Sequence, residues 1–177
     1  MEANCDIQSK RIGMIAGWGD FPVLVAKSLC EQGYEVYCLG VVGHTDPDLR
    51  KYCAEFKILG MGRFGTAARF FRRHQVQYGT MAGKIHKHLL LQPNINLLLK
   101  LLPDLTTIRM FVPHFLFRTQ DNKDDSLLLT VVRFFAKHGV EMGPAPDHAP
   151  ELLVKEGLLT KRAPTASQWH DIEFGWK

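Results

Sequence analysis

Arg11-Ile-Gly-Met-Ile-Ala-Gly-Trp-Gly-Asp-Phe-Pro22 is the stretch that decides the fold of this chain of 177 residues. Its apolar run, residues 12–16, ends in two glycines separated by one residue, and an amphipathic pattern follows over residues 21–32. This order is typical of a buried parallel strand that turns tightly into a helix, whose first N–H groups can face an anion. The third glycine of the dinucleotide-binding fingerprint is missing, because Phe21 and Pro22 stand near its place. The stretch therefore predicts an α/β fold and an anionic ligand.

The composition is that of a soluble globular protein with a mildly basic charge. Hydrophobic residues make up 46% of the chain and charged residues 23%, and the formal net charge is +4. That charge suits a phosphate-bearing ligand or an anionic membrane surface, but it is too small to predict a nucleic-acid partner. The four cysteines lack paired spacing and residues 1–9 are polar. We therefore expect reduced thiols, no structural zinc and a cytoplasmic location.

Strands and helices alternate along the first half of the chain. Strands are predicted at residues 11–16, 35–41, 55–59 and 76–82, separated by helices at 21–32, 47–52 and 66–74. This alternation favours a Rossmann-like parallel sheet with helices on both faces. Right-handed crossovers place every strand-to-helix loop at one edge of such a sheet. We therefore expect three segments to meet at that edge: Gly17-Trp-Gly19, Gly60-Met-Gly62 and Gly83-Lys84.

The second half of the chain predicts a further unit. We expect residues 10–118 to form the Rossmann-like N-terminal domain and residues 119–177 to be part of a second α/β domain that is cut short. Asp124 and Asp125 stand where they would cap and complement the first turn of a helix. The elements predicted in this unit are a helix at 126–138, a strand at 140–142, a short helix at 151–156 and irregular chain at 158–177.

The first glycine loop, which contains Gly17 and Gly19, is a candidate site for a phosphate or a uridine ribose. Two glycines let a ligand approach the backbone closely, although they serve equally to make a tight turn. Gly83 and Lys84 follow the strand expected beside it, and a lysine ammonium suits phosphate as a point charge. Asp20 is either the N-cap of the following helix or a ligand contact.

The second glycine loop, Gly60-Met-Gly-Arg-Phe-Gly65, matches G-x-G-x-x-G between a strand and a helix. That match opens a nicotinamide-dependent oxidoreductase as an alternative function. Such an enzyme would also place an acidic residue about twenty positions further on. The chain has Lys84 there, and it has Gly43 and His44 after the second strand. The oxidoreductase interpretation is therefore weakened, and Arg63 in the loop suits a bound phosphate better.

Two clusters are candidates for binding a divalent cation. His86 and His88 follow the fourth strand but lack a nearby third ligand, so a solvated loop is the preferred interpretation. Asp124 and Asp125 offer carboxylate oxygens, which magnesium takes together with waters and phosphates, although helix capping explains them nearly as well. No general base is identified, so the catalytic residues are unknown.

An apolar segment lies at the expected junction of the two domains. It comprises residues 89–91 and 97–102 with Phe111, Phe115 and Phe117. Such runs are usually part of a core, but a diacylated ligand would need an apolar cleft beside its phosphate site, and domain junctions are where such clefts occur. A lipid-binding groove is therefore a hypothesis for this segment.

Taken together, these segments resemble the LpxI family, the UDP-2,3-diacylglucosamine pyrophosphatases of lipid A biosynthesis. The resemblance runs from about residue 10 to the end of the sequence and rests on an ordered series of motifs. The motifs are Ile15-Ala-Gly-Trp-Gly-Asp-Phe-Pro22, Gly60-Met-Gly-Arg-Phe-Gly65, Met81-Ala-Gly-Lys84, Asp124-Asp-Ser-Leu-Leu128, Gly139-Val-Glu-Met-Gly143, Gly157-Leu-Leu-Thr160 and Asp171-Ile-Glu-Phe-Gly175.

The resemblance implies a metal-dependent hydrolase with two domains. Family members hydrolyse UDP-2,3-diacylglucosamine to UMP and lipid X by attack of water on the α-phosphate, with Mg²⁺ or Mn²⁺. It further implies a possible homodimer and transient contact with the inner-membrane surface. On this reading the metal residues are Asp124 and Asp125, and the substrate-binding residues are Gly17, Gly19, Gly60, Gly62, Arg63, Gly83 and Lys84.

One departure from the family concerns mechanism. Family chains are considerably longer, and their acidic segments after the stretch at residues 171–175 have no counterpart in this sequence. We therefore expect the catalytic carboxylate to lie outside this chain, and the chain by itself to be inactive. The alternative is a non-catalytic nucleotide-binding or lipid-binding module with a Rossmann-like fold.

Overall fold

Five parallel strands form one sheet in the order β3-β2-β1-β4-β5. The computed structural model describes residues 10–85, 102–116 and 124–176, and for residues 111–116 and 124–127 it describes the backbone alone. The strands are β1 (Arg11–Ala16), β2 (Glu35–Val41), β3 (Glu55–Leu59), β4 (Tyr78–Ala82) and β5 (Glu141–Pro144). This order, with helices on both faces, is a Rossmann-like α/β arrangement, so the predicted fold class is confirmed.

Four helices cover the two faces of the sheet: α1 (Phe21–Glu31), α2 (Phe64–Arg73), α3 (Leu105–Leu116) and α4 (Asp124–Lys137). A fifth helix, α5 (Ala166–Gly175), follows them and has no buried residue. Three short helical segments, two of them 3₁₀, lie at Pro47–Tyr52, Ala145–His148 and Pro150–Leu152. No helix in the described part of the chain is long and apolar enough to cross a lipid bilayer.

Each face of the sheet has its own apolar core, which explains why the strands read as continuous hydrophobic runs. On one face, Ile12 and Met14 of β1 pack with α1, whose contribution includes Leu29. On the other face, Phe71 of α2 and Phe135 of α4 meet at a centroid distance of 5.8 Å. The aromatic pair ties the two helices together over the central strands.

The sheet continues past the domain boundary predicted after residue 118. Strand β5 pairs with β4, with Thr80 beside Gly143, so the first sheet extends to Pro144. The pairing forms because α4 packs its apolar side on this sheet and a turn at Gly139 leads straight into β5. For the residues that follow, membership of a second domain stays a prediction.

The expectation that residues 158–177 are irregular is wrong for residues 166–175. Helix α5 lies there, and it begins with a capping box in which the Thr165 hydroxyl accepts from the Gln168 N–H and the Gln168 side chain accepts from the Thr165 N–H. The spacing Thr165-Ala-Ser-Gln168 carries this signal in the sequence. The helix predicted at 151–156 is likewise reduced to the 3₁₀ turn Pro150–Leu152.

Several predicted features fall outside the described residues. His86, His88 and the leucine runs at 89–91 and 97–101 are among them, as is Phe117. Asp124 and Asp125 are the first two residues of α4, so the predicted helix begins two residues earlier than expected. Their side chains are not described.

Candidate functional site

A cleft of about 940 Å³ lies at the carboxyl ends of β1, β2 and β4. The strand order reverses between β1 and β4, and in open parallel sheets such a switch point is where ligands bind. The lining comes from three loops that leave these strands. The lining residues are Trp18, Gly19, Asp20, Phe21, Gly43, His44, Thr45, Asp46, Pro47, Met81, Gly83 and Lys84.

A backbone pairing joins the loops after β1 and β4 at the cleft. The Trp18 N–H donates to the Lys84 carbonyl at 2.8 Å, and the Lys84 N–H donates back to the Trp18 carbonyl at 2.9 Å. A Cβ on Gly17 would lie 2.5 Å from the Lys84 carbonyl oxygen. Gly83 has φ of 93° and would bring a Cβ within 2.7 Å of Pro22. Both glycines are therefore required by chain packing.

The first turn of α1 faces this cleft without a side-chain cap. Gly19, at φ of 106°, turns the chain into the helix, and a Cβ there would meet no atom within 4 Å. Asp20 occupies the N-cap position, but its carboxylate makes no capping hydrogen bond. The start of a helix carries partial positive charge and unsatisfied N–H donors, so this turn is a place for an anion.

Charged and aromatic side chains surround that helix start. Lys84 is exposed at the rim, and Trp18 and Phe21 are 50% and 39% exposed beside it. Asp46 also lines the cleft, and one of its oxygens accepts from the Asp48 N–H at 2.8 Å. The cleft thus combines a helix start, a cation, two carboxylates and exposed aromatic surface.

The loop after β2 contributes residues that the sequence did not single out. Thr45 donates its hydroxyl hydrogen to the Ala16 carbonyl at 2.5 Å and accepts from the Val41 N–H at 2.7 Å. This hydroxyl locks the carboxyl ends of β1 and β2 together and fixes the wall of the cleft. His44 is buried in the same loop, with its Nδ1 3.1 Å from the Val42 carbonyl. The only sequence signal was Asp46-Pro47, which marks the start of a short helix.

The second glycine loop, residues 60–65, has a different environment. The Asp104 carboxylate accepts from the Thr66 N–H and from the Thr107 N–H, each at 2.9 Å. It thereby caps the first turns of α2 and α3 at once. A Cβ on Gly65 would lie 2.7 Å from Thr106, so this glycine is needed for the close contact of the two helices.

The ionisation of Asp104 follows from these contacts. Burial by itself raises the pKa of Asp104, but the hydroxyl and N–H of Thr107 and the backbone N–H groups of Thr66 and Gly65 outweigh it and hold the pKa below its usual value. The carboxylate is therefore charged near neutral pH. A protein anion already stands at the helix start where a phosphate would bind.

The structure accordingly separates the predicted substrate residues into two groups. Gly19, Gly83 and Lys84 line the cleft, and Gly17 packs against the backbone of Lys84 beside it. Three others, Gly60, Gly62 and Arg63, follow β3 at the same edge of the sheet but do not line the cleft. Three segments were expected to meet at this edge. The structure brings together the two that follow β1 and β4, and the segment that follows β3 does not join them.

Metal-binding chemistry in the described part of the chain is sparse. No three side chains of His, Cys, Asp or Glu are grouped there in a way that could hold a metal ion. The N-terminal end of α4, with Asp124 and Asp125, lies at the carboxyl edge of the sheet, because α4 runs antiparallel to the strand β5 that it precedes. This is the edge that carries the cleft.

Comparisons with known proteins point to one family. Residues 11–152 match the sequence profile of the LpxI N-terminal domain. UDP-2,3-diacylglucosamine pyrophosphatase LpxI of Caulobacter vibrioides is 26% identical over 164 residues, which cover 93% of this chain and 54% of that protein. The chain therefore spans about half the length of the curated relative that it matches.

Proposed function

Because the chain belongs to the LpxI family, with its N-terminal domain at residues 11–152, we propose that its cleft binds the nucleotide diphosphate of UDP-2,3-diacylglucosamine. In the complete active site this substrate is hydrolysed to UMP and lipid X. The observation that carries the proposal is the uncapped first turn of α1, which opens into a cleft at the switch point of the sheet.

Diphosphate binding is supported by the donors at the base of the cleft. The N–H groups at the start of α1 and the partial positive charge of the helix favour a phosphate group. Lys84 adds a full positive charge at the rim, where it neutralises a phosphate oxygen. Gly19 leaves the approach open, because nothing stands within 4 Å of the place where its side chain would be.

The aromatic rim supports a nucleotide or sugar beside the diphosphate. Trp18 and Phe21 keep substantial exposed area at the mouth of the cleft. Planar rings of this kind stack on nucleobases and on the apolar faces of sugars. The cleft therefore matches a ligand that joins a ring system to a negatively charged linker.

The proposed reaction breaks one phosphoanhydride bond. The oxygen of water forms a bond to one phosphorus of the diphosphate, and the bridging oxygen leaves with the other phosphate. The water proton is released to a base that the described residues do not identify. In this chain, the α1 helix start and Lys84 would hold the diphosphate in place and stabilise charge that develops on its oxygens.

A divalent cation, Mg²⁺ or Mn²⁺, is part of the proposal. Magnesium is usually held by one or two carboxylates together with substrate phosphates and waters. The chemistry of Asp20 and Asp46 in the cleft fits this, and Asp124 and Asp125 are the pair that the family resemblance implies. Bound there, the metal would neutralise phosphate charge and activate water. The groups that complete catalysis are expected in the part of the family fold that residues 11–152 do not cover.

The setting of the protein is proposed on the same basis. A diacylated substrate belongs to a membrane, so we place the protein in the cytoplasm with transient contact to the inner-membrane surface. A homodimer is a further part of the proposal. These statements rest on the family and on the chemistry of the substrate.

A non-catalytic binding module is the second candidate function. It would use the same helix start and cleft to hold a nucleotide without hydrolysing it. A nicotinamide-dependent oxidoreductase is the third candidate. It is disfavoured because such an enzyme needs an acidic residue after β2 to bind the ribose, and Val42, Gly43 and His44 follow β2 instead.

One experiment separates these functions. The purified chain is incubated with UDP-2,3-diacylglucosamine and Mg²⁺ or Mn²⁺, UMP is quantified, and UDP binding is measured by calorimetry in parallel. Formation of UMP that EDTA abolishes supports the hydrolase, and saturable UDP binding without UMP supports the module. Absence of UDP binding together with saturable NADH binding would overturn the proposal in favour of the oxidoreductase.

A further inference from the structure

The helices on one face of the sheet carry several exposed cations, and their described side chains include no acid. Helices α2, α3 and α4 pack on this face around one apolar cluster. None of their described side chains is an Asp or Glu, and none of their exposed cations forms a salt bridge with a described residue. These cations, which we call the basic face, are Arg69, Arg72, Arg73, Arg109, Arg133 and Lys137.

The opposite helical layer has mixed charge. It consists of α1, the 3₁₀ helix Pro47–Tyr52 and residues 145–152, and its acids and bases are Lys27, Glu31, Asp48, Arg50, Lys51, Asp147 and Glu151. Two ion pairs form within it, Lys27 with Glu31 at 3.8 Å and Lys51 with Asp48 at 2.9 Å. The basic face is therefore a local feature and does not follow from a net charge of only +4.

Exposed aliphatic side chains stand among these cations. On α3, Leu105 is 79% exposed and Ile108 is 43% exposed, next to Arg109. On α4, Leu128 and Leu129 are half exposed. Cations interleaved with protruding aliphatic residues are typical of surfaces that lie in the headgroup layer of a bilayer, where the cations meet anionic headgroups and the aliphatic groups enter the acyl boundary.

We propose that the basic face docks this domain on the surface of a membrane that contains anionic lipids. The choice of a lipid partner rests on the proposed function, because a substrate with two acyl chains has to be taken from a bilayer. Charge complementarity and the protruding leucines both fit that partner, whereas a nucleic-acid backbone would make no use of the leucines. Docking through this face would bring lipid substrate to the same domain that holds the cleft.

The test measures binding of the full chain to phosphatidylcholine vesicles with and without phosphatidylglycerol, by sedimentation. The variant Arg69→Glu/Arg72→Glu/Arg73→Glu removes the stripe on α2. A single cation near an anionic surface strengthens binding roughly fivefold, so losing three should weaken it at least about a hundredfold, and the three glutamates add repulsion. The matched control, Lys27→Glu/Arg50→Glu/Lys51→Glu, changes the net charge equally on the opposite layer and should keep most of the binding.

A second variant addresses the apolar contribution. Leu105→Ser/Ile108→Ser should weaken vesicle binding severalfold while leaving its dependence on salt unchanged, because no charge is lost. Both residues are exposed, so folding should be retained, and circular dichroism of each variant verifies this.

Three results would overturn the proposal. They are absence of binding to anionic vesicles, equal losses in the α2 variant and its control, and displacement of the vesicles by duplex DNA at physiological salt. The vesicles contain no substrate, so these results are independent of hydrolysis. Failure of the proposed function would instead appear as absence of UDP binding in solution, with vesicle binding intact.

Discussion

The loop after β1 and the loop after β3 each place glycines between a parallel strand and a helix, at the same edge of one sheet. In the first loop the helix start has no side-chain cap and opens into the cleft beside Lys84. In the second, the Asp104 carboxylate bonds the N–H groups of Thr66 and Thr107. One helix start is thus available to a ligand and the other is occupied by the protein.

A glycine pattern after a strand therefore indicates that some group lies close to the backbone, but it does not identify that group. At Gly17 the approaching group is the Lys84 backbone, and at Gly65 it is Thr106 of a helix some forty residues further along the chain. Gly19, in contrast, leaves space that a ligand can enter, because a Cβ there would meet no atom within 4 Å. The first loop therefore forms part of the site, and the second loop stabilises the packing of α2 against α3.

The largest expected effect is that of closing the space below the first loop. In Gly17→Ala the new methyl group would lie 2.5 Å from the Lys84 carbonyl oxygen, so the pairing of Trp18 with Lys84 must open. Overpacking of this kind costs about 3 kcal/mol, and we expect urea denaturation to show such a loss together with loss of UDP binding. Gly175→Ala is the control, because nothing surrounds that position, and its unfolding should be unchanged. If the stability of Gly17→Ala equals that of the wild type, close packing against Lys84 does not require a glycine at this position.

The next largest effect on stability is expected when the Asp104 cap of the second loop is removed. Asp104→Ala removes two helix caps, each worth about 1 kcal/mol, so we expect unfolding to become easier by about 2 kcal/mol. UDP affinity should change little, because Asp104 does not line the cleft. A large loss of UDP affinity in a variant that remains folded would contradict the division between the two loops. Thermal unfolding and calorimetry on the same sample give both values.

The sheet and the first loop could be read from the sequence because their determinants are local. Apolar runs of strand length, with glycine turns between them, predicted β1 to β4 within two residues of their observed limits. Residues 60–65 behave otherwise, because the group that fills their helix start is about forty residues away in the chain. No local sequence pattern predicts that Asp104 caps α2.

The same reasoning applies to the residues that sequence analysis missed. Thr45 shapes the cleft through a bond to the Ala16 carbonyl, a contact that exists only once β1 and β2 are paired. Strand β5 was assigned to another domain because its pairing with β4 spans some sixty residues of chain. Helix α5, in contrast, had a local signal in its capping box that could have been used.

A smaller effect is expected when the cation of the first loop is removed. Lys84→Met keeps the aliphatic stem and loses the charge at the cleft rim, so UDP should bind about tenfold more weakly, the usual loss for a hydrogen bond to a charged group. Lys27→Met is the matched control, since Lys27 is exposed on α1 and does not line the cleft. Calorimetric titration with UDP measures both. Equal affinities in the two variants would place the diphosphate elsewhere.

The smallest effect is the one expected when the Asp104 carboxylate, which caps α2 beside the second loop, loses its charge at low pH. The pKa of Asp104 is below its ordinary value because the hydrogen bonds from Thr107 and Thr66 outweigh the opposing effect of burial. A carboxylate whose pKa is lower in the folded state contributes stability that is full above its unfolded pKa, roughly 4, and is lost as pH falls through the folded value. The stability gap between wild type and Asp104→Asn should therefore be constant at neutral pH and narrow below about pH 4. Urea denaturation at a series of pH values measures this gap, and parallel curves down to pH 3 would show that the folded protein does not depend on the charge of this cap.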